Sequence, residues 1–153
     1  MVEKARKSPF YAEGLHFSCT RCSACCRHES GYVFLSEMDA FLLAASMNME
    51  REEFVGTFCH WVPSEGGTER LSLKEKPNFD CVFWGSEGCS VYETRPLQCR
   101  AFPFWSSVLK SKKNWEFTAE GCPGIGKGTL VSFDLIENWL TLRQNQPIIF
   151  RST

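Results

Sequence analysis

The stretch Phe17-Ser18-Cys19-Thr20-Arg21-Cys22-Ser23-Ala24-Cys25-Cys26 places four cysteines within eight residues. It shows neither the apolar period of a helix nor the alternation of a strand, so it predicts a loop or consecutive turns. A lone cysteine is usually a small buried apolar residue. Four of them in a polar segment that includes Arg21 and continues to Arg27 and His28 indicate a metal-ligand loop instead, because nearby cations favour thiolates.

The spacing of Cys19, Cys22 and Cys25 is C-x2-C-x2-C. Two intervening residues allow a tight turn that brings two sulfurs to about 3.8 Å, the separation implied by tetrahedral zinc–sulfur bonds. The same spacing opens the bacterial ferredoxin run, in which proline follows the fourth cysteine. Here Cys122 precedes Pro123, far along the chain. This partial match favours an iron–sulfur cluster and leaves zinc open.

Cys26 directly follows Cys25, and neighbouring side chains point to opposite faces of an extended segment. The two thiols are therefore poor partners for one mononuclear ion, and either a multinuclear cluster accepts both or Cys26 turns to a second site. Eight cysteines would suit two four-cysteine sites, and their spacing does not assign them. His28 is an alternative ligand. The later cysteines available for such sites are Cys81, Cys89, Cys99 and Cys122.

Composition narrows the class of protein. The 153 residues, 43% of them hydrophobic, predict one soluble globular domain over residues 1–153. A net charge of −1 gives no basic footprint for nucleic acid, and no run approaches the ~20 apolar residues of a membrane span. The first residues lack the apolar run of a secretory signal, so we expect a reducing cytoplasmic location. Nine cysteines there favour metal over disulfides, and an odd number would leave one thiol over.

The remaining patterns predict a small α+β domain with few helices, short strands, and irregular loops organised around a cysteine–metal site. Ser36 to Asp39 has the form of a capping box, and the next helix starts near Glu50. The predicted inward faces are Met38, Phe41, Leu42 and Ala45 on the first helix and Phe54, Val55, Phe58 and Trp61 on the second, which would also carry Cys59 as a core residue.

Short strands are expected at Tyr32–Leu35, around Leu71 and Leu73, at Cys81–Trp84 and at Trp115–Thr118. One helical turn is expected to begin at Pro96. Thr129 is predicted to cap a last helix that ends before Pro147 and places Leu130, Phe133, Ile136 and Leu140 on one face.

The segment from Gly121 to Gly128 nearly spells a phosphate-binding loop. That motif needs Ser or Thr after its lysine, and Gly128 stands there instead. We interpret it as a glycine-rich loop that turns the backbone around the metal.

Four groups of residues together form a specific signature. The first is the stretch from Phe17 to Cys26, which we call the cysteine loop, and the second is Cys81 with Cys89. The others are the segment Tyr92-Glu93-Thr94-Arg95-Pro96-Leu97-Gln98-Cys99-Arg100-Ala101-Phe102-Pro103 and the pair Cys122-Pro123. From Phe17 to Gly124 the chain resembles the CxxCxxCC cysteine-cluster family, described as zinc- or iron-chelating proteins. The resemblance implies one ligand set of eight cysteines: Cys19, Cys22, Cys25, Cys26, Cys81, Cys89, Cys99 and Cys122. The family also includes iron–sulfur oxidoreductases and a longer flagellin lysine methylase, so it leaves the reaction open.

Arg95 and Arg100 bracket Cys99, where guanidinium groups would stabilise thiolates and tune a bound cofactor without binding the metal directly. Three functions follow as hypotheses. The first is an iron–sulfur protein with a redox or catalytic role and a protein or redox partner. The second is a zinc-binding structural or interaction module. The third, lysine methylase-like activity, follows from the resemblance alone, and whether the chain is an enzyme stays open.

Overall fold

The structure, a computed structural model, describes residues 8–23, 25 and 31–152. The predictions for Cys26 and His28 lie outside the described residues. Within them the chain forms five α-helices and short antiparallel strands, which confirms the predicted α+β class. No helix of this described part is long and apolar enough to cross a membrane.

Twelve elements follow in chain order. They are β1 (Leu15–Phe17), α1 (Glu37–Ser46), α2 (Arg51–Phe58), β2 (Cys59–Ser64), β3 (Thr68–Leu73), β4 (Trp84–Gly85), β5 (Gly88–Cys89), α3 (Leu97–Ala101), α4 (Lys112–Ala119), β6 (Ile125–Val131), α5 (Phe133–Asn145) and β7 (Phe150–Ser152).

Backbone contacts divide the chain into two compact units. The first unit holds the described residues up to Thr20 together with Pro103–Leu140, and the second holds Arg21–Phe102 together with Thr141 onward. Each unit has a hydrophobic core of its own, because the two clusters of buried side chains share no residue.

The second unit is built on the antiparallel sheet β2–β3–β7. Strands β2 and β3 form a hairpin whose turn contains Gly66 and Gly67, both at positive φ, a conformation that glycine adopts without steric cost. The predicted strand around Leu71 and Leu73 is confirmed as β3, and both leucines are buried. Their core also includes Leu35, Leu43, Phe54 and Phe83.

Helix α1 confirms the capping box and corrects the predicted face. Ser36 Oγ accepts the Asp39 N–H at 3.1 Å, and the Asp39 carboxylate accepts the Ser36 N–H at 2.9 Å. The predicted inward residues Met38 and Phe41 are 48% and 64% exposed, whereas Leu43 is fully buried. The prediction was wrong because both faces of this helix carry apolar residues, and the buried carboxylate of Asp39 selects the face that turns inward.

Helix α2 ends earlier than predicted. It stops at Phe58, and Cys59 begins strand β2 opposite Leu73, so the prediction that Cys59 and Trp61 lie on a helix was wrong. Pairing with β3 supplies the backbone hydrogen bonds that another helical turn would have made. Cys59 is nevertheless buried in the core, and Phe54 is buried on α2 as expected.

Three predicted strands are shorter or absent. The predicted strand Tyr32–Leu35 is reduced to an isolated bridge between Phe34 and Ser72. Only Trp84 of the predicted Cys81–Trp84 strand belongs to β4, and Cys81 makes a single bridge to Glu75. Residues 115–118 lie in helix α4, not in a strand. There Ser111 Oγ accepts the Asn114 N–H at 3.1 Å, and this N-cap together with the burial of Trp115 outweighs the strand preference of the aromatic and β-branched residues.

The first unit pairs β1 with β6 in antiparallel register, Leu15 opposite Val131. Strand β6 includes Thr129 and Leu130, so the prediction that Thr129 caps the last helix was wrong. Helix α5 begins at Phe133, where Ser132 Oγ accepts the Leu135 N–H at 3.2 Å. The core of this unit contains Tyr11, Phe104, Val108, Leu109, Trp115, Ile125 and Ile136.

Candidate metal centre

Cys81 and Cys89 flank a small hairpin made of β4 and β5. Its strands have two residues each, with Trp84 opposite Cys89 and Gly85 opposite Gly88. The backbone N–H of Phe83 opposes the rise in the pKa of Cys81, and that of Val91 opposes the rise in the pKa of Cys89. Hydrogen bonds of this kind favour the thiolate and are among the features that set the properties of metal–sulfur sites.

The backbone before Cys81 is fixed by a buried acidic residue. Asp80 is 5% exposed, its carbonyl oxygen accepts the Lys76 N–H at 2.7 Å, and its carboxylate accepts the side-chain amide of Asn78 at 3.1 Å. The Lys76 ammonium group donates to the carbonyl of Trp84 at 2.6 Å. The turn from residue 76 to residue 84 is therefore tied by polar contacts at both ends, which positions Cys81.

Cys99 is held by helix α3, which begins after Pro96 as the sequence predicts. The Leu97 N–H donates to the buried carboxylate of Asp39 at 2.9 Å, and Leu97 itself is fully buried. The Gln98 side chain accepts the Phe34 N–H at 3.0 Å and donates to the carbonyl of Tyr32 at 2.7 Å. These contacts fix the two residues before Cys99.

Four cysteines from three separate segments of the second unit interact electrostatically. Burial raises the pKa of the Cys99 thiol, and the neighbouring Cys81, Cys25 and Cys89 raise it further. Burial likewise raises the pKa of Cys81, with smaller upward contributions from Cys89 and Cys25, and raises that of Cys89, to which Cys25 also adds. Cys25 of the cysteine loop therefore lies within electrostatic range of Cys81, Cys89 and Cys99.

Arg95 supplies positive charge to this group. Its guanidinium opposes the rise in the pKa of both Cys89 and Cys99, the direction expected of a cation beside thiolates. Its Nε donates to the carbonyl of Tyr92 at 2.9 Å. Arg100 Nε donates to the Arg95 carbonyl at 3.1 Å, so Arg100 contacts the backbone of this segment.

Cys22 lies between two residues with unusual backbone angles. Arg21 has φ 55° and Ser23 has φ 66°, left-handed conformations that few non-glycine residues adopt. Cys22 is exposed, as is Cys25. The two left-handed residues turn the chain sharply on both sides of Cys22.

Cys19 and Cys122 belong to the first unit, at one end of the β1–β6 ladder. Phe17 pairs with Ile125, and the Ser18 N–H donates to the Gly124 carbonyl at 3.3 Å. Because antiparallel strands run in opposite directions, the chain beyond Phe17 and the chain before Ile125 leave the ladder at the same end. Cys19 is exposed and Cys122 is partly buried.

Cys59 and the described histidines lie elsewhere. Burial raises the pKa of Cys59 to about 12, and the charges beside it are those of Lys74 and Arg51, with no contribution from another described cysteine. His60 is exposed on β2, and His16 Nδ1 lies 3.0 Å from the Gly128 carbonyl oxygen.

The donor set can be compared with the metals it would suit. The eight described cysteines, a set that leaves out Cys26, carry thiols and not disulfides. Among residues 8–23, 25 and 31–152, no three His, Cys, Asp or Glu side chains are arranged as the ligands of one metal ion. The thiols of Cys25, Cys81, Cys89 and Cys99 therefore influence one another electrostatically, but they are not arranged as the ligands of one metal ion. Sulfur donors of this kind fit zinc and iron–sulfur centres, which thiolates bind preferentially.

Sequence patterns missed three residues that position this group. The sequence patterns include Asp39 only as part of a capping box, and Gln98 and Tyr92 only as members of the signature segment. The Tyr92 ring in fact has the guanidinium carbon of Arg95 at 3.8 Å and that of Arg21 at 4.2 Å from its centroid. The spacing of Tyr92 and Arg95, three residues apart, is the one sequence signal that could have suggested their contact.

Comparison with known proteins gives one family and no structural relative. No solved structure matches the chain. A family model described as "Putative zinc- or iron-chelating domain" matches residues 18–123, more than half of the 153 residues. This range contains the cysteine loop, the β4–β5 hairpin and helix α3. The chain therefore belongs to the CxxCxxCC family of zinc- or iron-chelating domains.

Proposed function

We propose that this protein holds an iron–sulfur cluster through cysteine thiolates and uses it in a redox or catalytic role with a protein partner. The observation that carries the proposal is the electrostatic proximity of Cys25, Cys81, Cys89 and Cys99, which come from three segments of the second unit. Such proximity of thiols in metal-free protein is unfavourable when they ionise, and a bound cation would offset it.

The ligand set of this proposal is all eight cysteines of the family signature. Cys19 and Cys122 leave one end of the β1–β6 ladder, and Cys22 sits in the sharply turned loop. Cys26 is the remaining cysteine of this proposed set. Thiolate ligands must be deprotonated, so metal binding to these thiols releases protons and is favoured at higher pH. They must also stay reduced, which fits a cytoplasmic location.

Iron–sulfur is preferred over a single zinc ion because of the loop chemistry. The C-x2-C-x2-C spacing matches the start of a ferredoxin run, and adjacent Cys25 and Cys26 suit a multinuclear cluster better than one ion. When bound, the cluster would supply electron transfer. Arg95 would place a guanidinium charge beside Cys89 and Cys99, and positive charge near the sulfurs is one of the features that set a reduction potential.

A structural zinc site is the second candidate, favoured by the β4–β5 hairpin. Its two strands have only two residues each, and a hairpin of this size is not stable in water by itself. A zinc ion held by Cys81 and Cys89 with two further thiols would close it, and zinc–thiolate sites supply ~10–16 kcal/mol in small domains.

Metal analysis of protein purified without oxygen separates the two candidates. An iron–sulfur protein is expected to be brown, with broad visible absorption, and to contain iron and acid-labile sulfide in similar amounts. A zinc module is expected to be colourless, to contain zinc in fixed proportion to the chain, and to unfold when chelators remove it. Protein that binds neither metal and keeps its fold would contradict both.

A further inference from the structure

The aromatic ring of Tyr92 lies between two arginines of the second unit. The guanidinium carbon of Arg95 is 3.8 Å from the ring centroid and that of Arg21 is 4.2 Å from it. Both distances are well inside the ~6 Å within which a cation is attracted by the face of an aromatic ring. We refer to Arg21, Tyr92 and Arg95 as the arginine–tyrosine stack.

The stack joins two parts of the candidate metal centre. Arg21 stands next to Cys22 in the cysteine loop, and Arg95 stands four residues before Cys99. Arg95 acts electrostatically on both Cys89 and Cys99. The ring of Tyr92 is thus one contact between Arg21 of the cysteine loop and the segment that carries Cys99.

Arg95 is fixed at more than one point. Its Nε donates to the Tyr92 carbonyl at 2.9 Å while its guanidinium lies over the ring of the same residue, and its own carbonyl accepts Arg100 Nε at 3.1 Å. A long arginine side chain loses rotamer freedom when it is held, and the planar guanidinium is well suited to stacking. The Tyr92 ring offsets that loss, so the charge stays at a defined position.

We propose that Tyr92 is a positioning residue of the metal centre: its ring holds the Arg95 charge beside Cys89 and Cys99 and, through Arg21, docks the cysteine loop on the same segment. This inference rests on the proposed metal-binding function. Tyr92 does not contact the metal in this role and acts only through the two arginines. The Phe variant retains the ring and with it the role, whereas an aliphatic side chain loses it.

Binding of Zn²⁺ alone provides the test, since it requires no activity assay. The full chain, reduced and metal-free, is titrated with Zn²⁺ in competition with a chromophoric chelator. Tyr92→Leu is expected to bind Zn²⁺ about tenfold more weakly than the original chain, the lower end of what loss of an outer contact costs a metal site. Tyr92→Phe is expected to bind within twofold, roughly the scatter of additive effects.

Two further variants separate positioning from general damage to the fold. Phe150→Leu removes an exposed aromatic ring on β7 of the same unit, and it is expected to bind Zn²⁺ normally. In an Arg95→Met background, Tyr92→Leu is expected to cost less than about threefold, because residues that act as a unit are not additive. If circular dichroism shows that Tyr92→Leu does not fold, Arg95→Met replaces it in the Zn²⁺ titration.

The outcomes distinguish this inference from the proposed function. A Leu variant that binds Zn²⁺ as tightly as the original chain, a Phe variant as weak as Leu, or an undiminished tenfold loss in the Arg95→Met background would each overturn the positioning role while leaving metal binding intact. An original chain that binds neither Zn²⁺ nor iron would overturn the proposed function and this role with it.

Discussion

The carboxylate of Asp39 accepts the backbone N–H of Leu97 at 2.9 Å, across 58 positions of sequence. Its other oxygen accepts the Ser36 N–H at 2.9 Å, and the residue is only 2% exposed. One buried acidic side chain thus caps helix α1 and fixes the first residue of α3, two residues before Cys99. Hydrogen bonds to a charged group are stronger than those between neutral groups, so this contact is a firm link between the core and the candidate metal centre.

Replacing Asp39 is expected to cost more than replacing its capping partner. Asp39→Ala removes the bonds to both Ser36 and Leu97, and we expect it to lower the free energy of unfolding by about 3 kcal/mol, from the 1.5–3 kcal/mol typical of a bond to a charged group. Ser36→Ala removes only the cap hydroxyl and should cost about 1 kcal/mol. Urea denaturation of the metal-free protein measures both. Equal losses in the two variants would show that the Leu97 contact contributes nothing.

The effect of a cysteine substitution on metal content is expected to depend on where the cysteine lies. Cys99→Ser and Cys22→Ser should lower both the metal content and the soluble yield severalfold, because each removes a proposed ligand and metal binding stabilises the fold. Cys59→Ser should keep its metal, since Cys59 lies in the core beside Lys74 and Arg51 and not among the other thiols. Elemental analysis per chain checks this, and the same metal content in all three variants would contradict the ligand assignment.

Stability at alkaline pH is expected to depend on Cys59. Burial raises the pKa of its thiol from the ordinary 9.0 to about 12 in the folded protein. Between these two values the unfolded chain loses the proton while the folded chain keeps it, so the free energy of unfolding falls as pH rises through this window. It should fall about 1.4 kcal/mol per pH unit more steeply in the original chain than in Cys59→Ala.

The comparison with Cys59→Ala cancels the contribution of the other thiols, which are present in both proteins. Urea denaturation of reduced, metal-free protein at pH 8, 9.5 and 10.5 gives the two slopes. Parallel slopes would mean that Cys59 ionises as readily inside the fold as outside it.

Gly124 is expected to tolerate no side chain. A Cβ there would collide with the carbonyl oxygen of Ser18. This oxygen belongs to the backbone, so no side-chain rotation can relieve the clash. Gly124→Ala should therefore destabilise the protein by about 1–3 kcal/mol, the usual cost of overpacking. Gly121→Ala is the matched control in the same loop, because the nearest atom to its Cβ is at 3.9 Å. Thermal unfolding compares the two, and equal melting temperatures would remove the steric argument.

Local signals were sufficient wherever a short-range interaction decides the structure. The capping box at Ser36, the helical turn after Pro96 and the strand around Leu71 all follow from contacts within a few residues or from simple alternation. The cysteine spacings also indicated the kind of chemistry, because metal-ligand turns are local features. The family assignment uses the same residues.

Long-range pairing explains the errors. Thr129 belongs to a strand because β1 pairs with β6 across more than a hundred residues, and Cys59 begins a strand because β3 lies beside it. The exposed face of α1 could not be predicted either, since the bond that selects the inward face joins Asp39 to Leu97. Patterns read over short windows contain no information on such partners.

The ladder of β1 and β6 also sets an order of events. The hydrogen bond from Thr129 N–H to Ser18 Oγ spans 111 positions, so strand β1 stays unpaired on the ribosome until β6 has been synthesised. Cys19 and Cys122 reach the same end of the ladder only then. A chain released early would present its first cysteines in solution without their later counterparts, where oxidation competes with metal capture. The approach of Cys19 to Cys122 is thereby delayed until β6 has been synthesised.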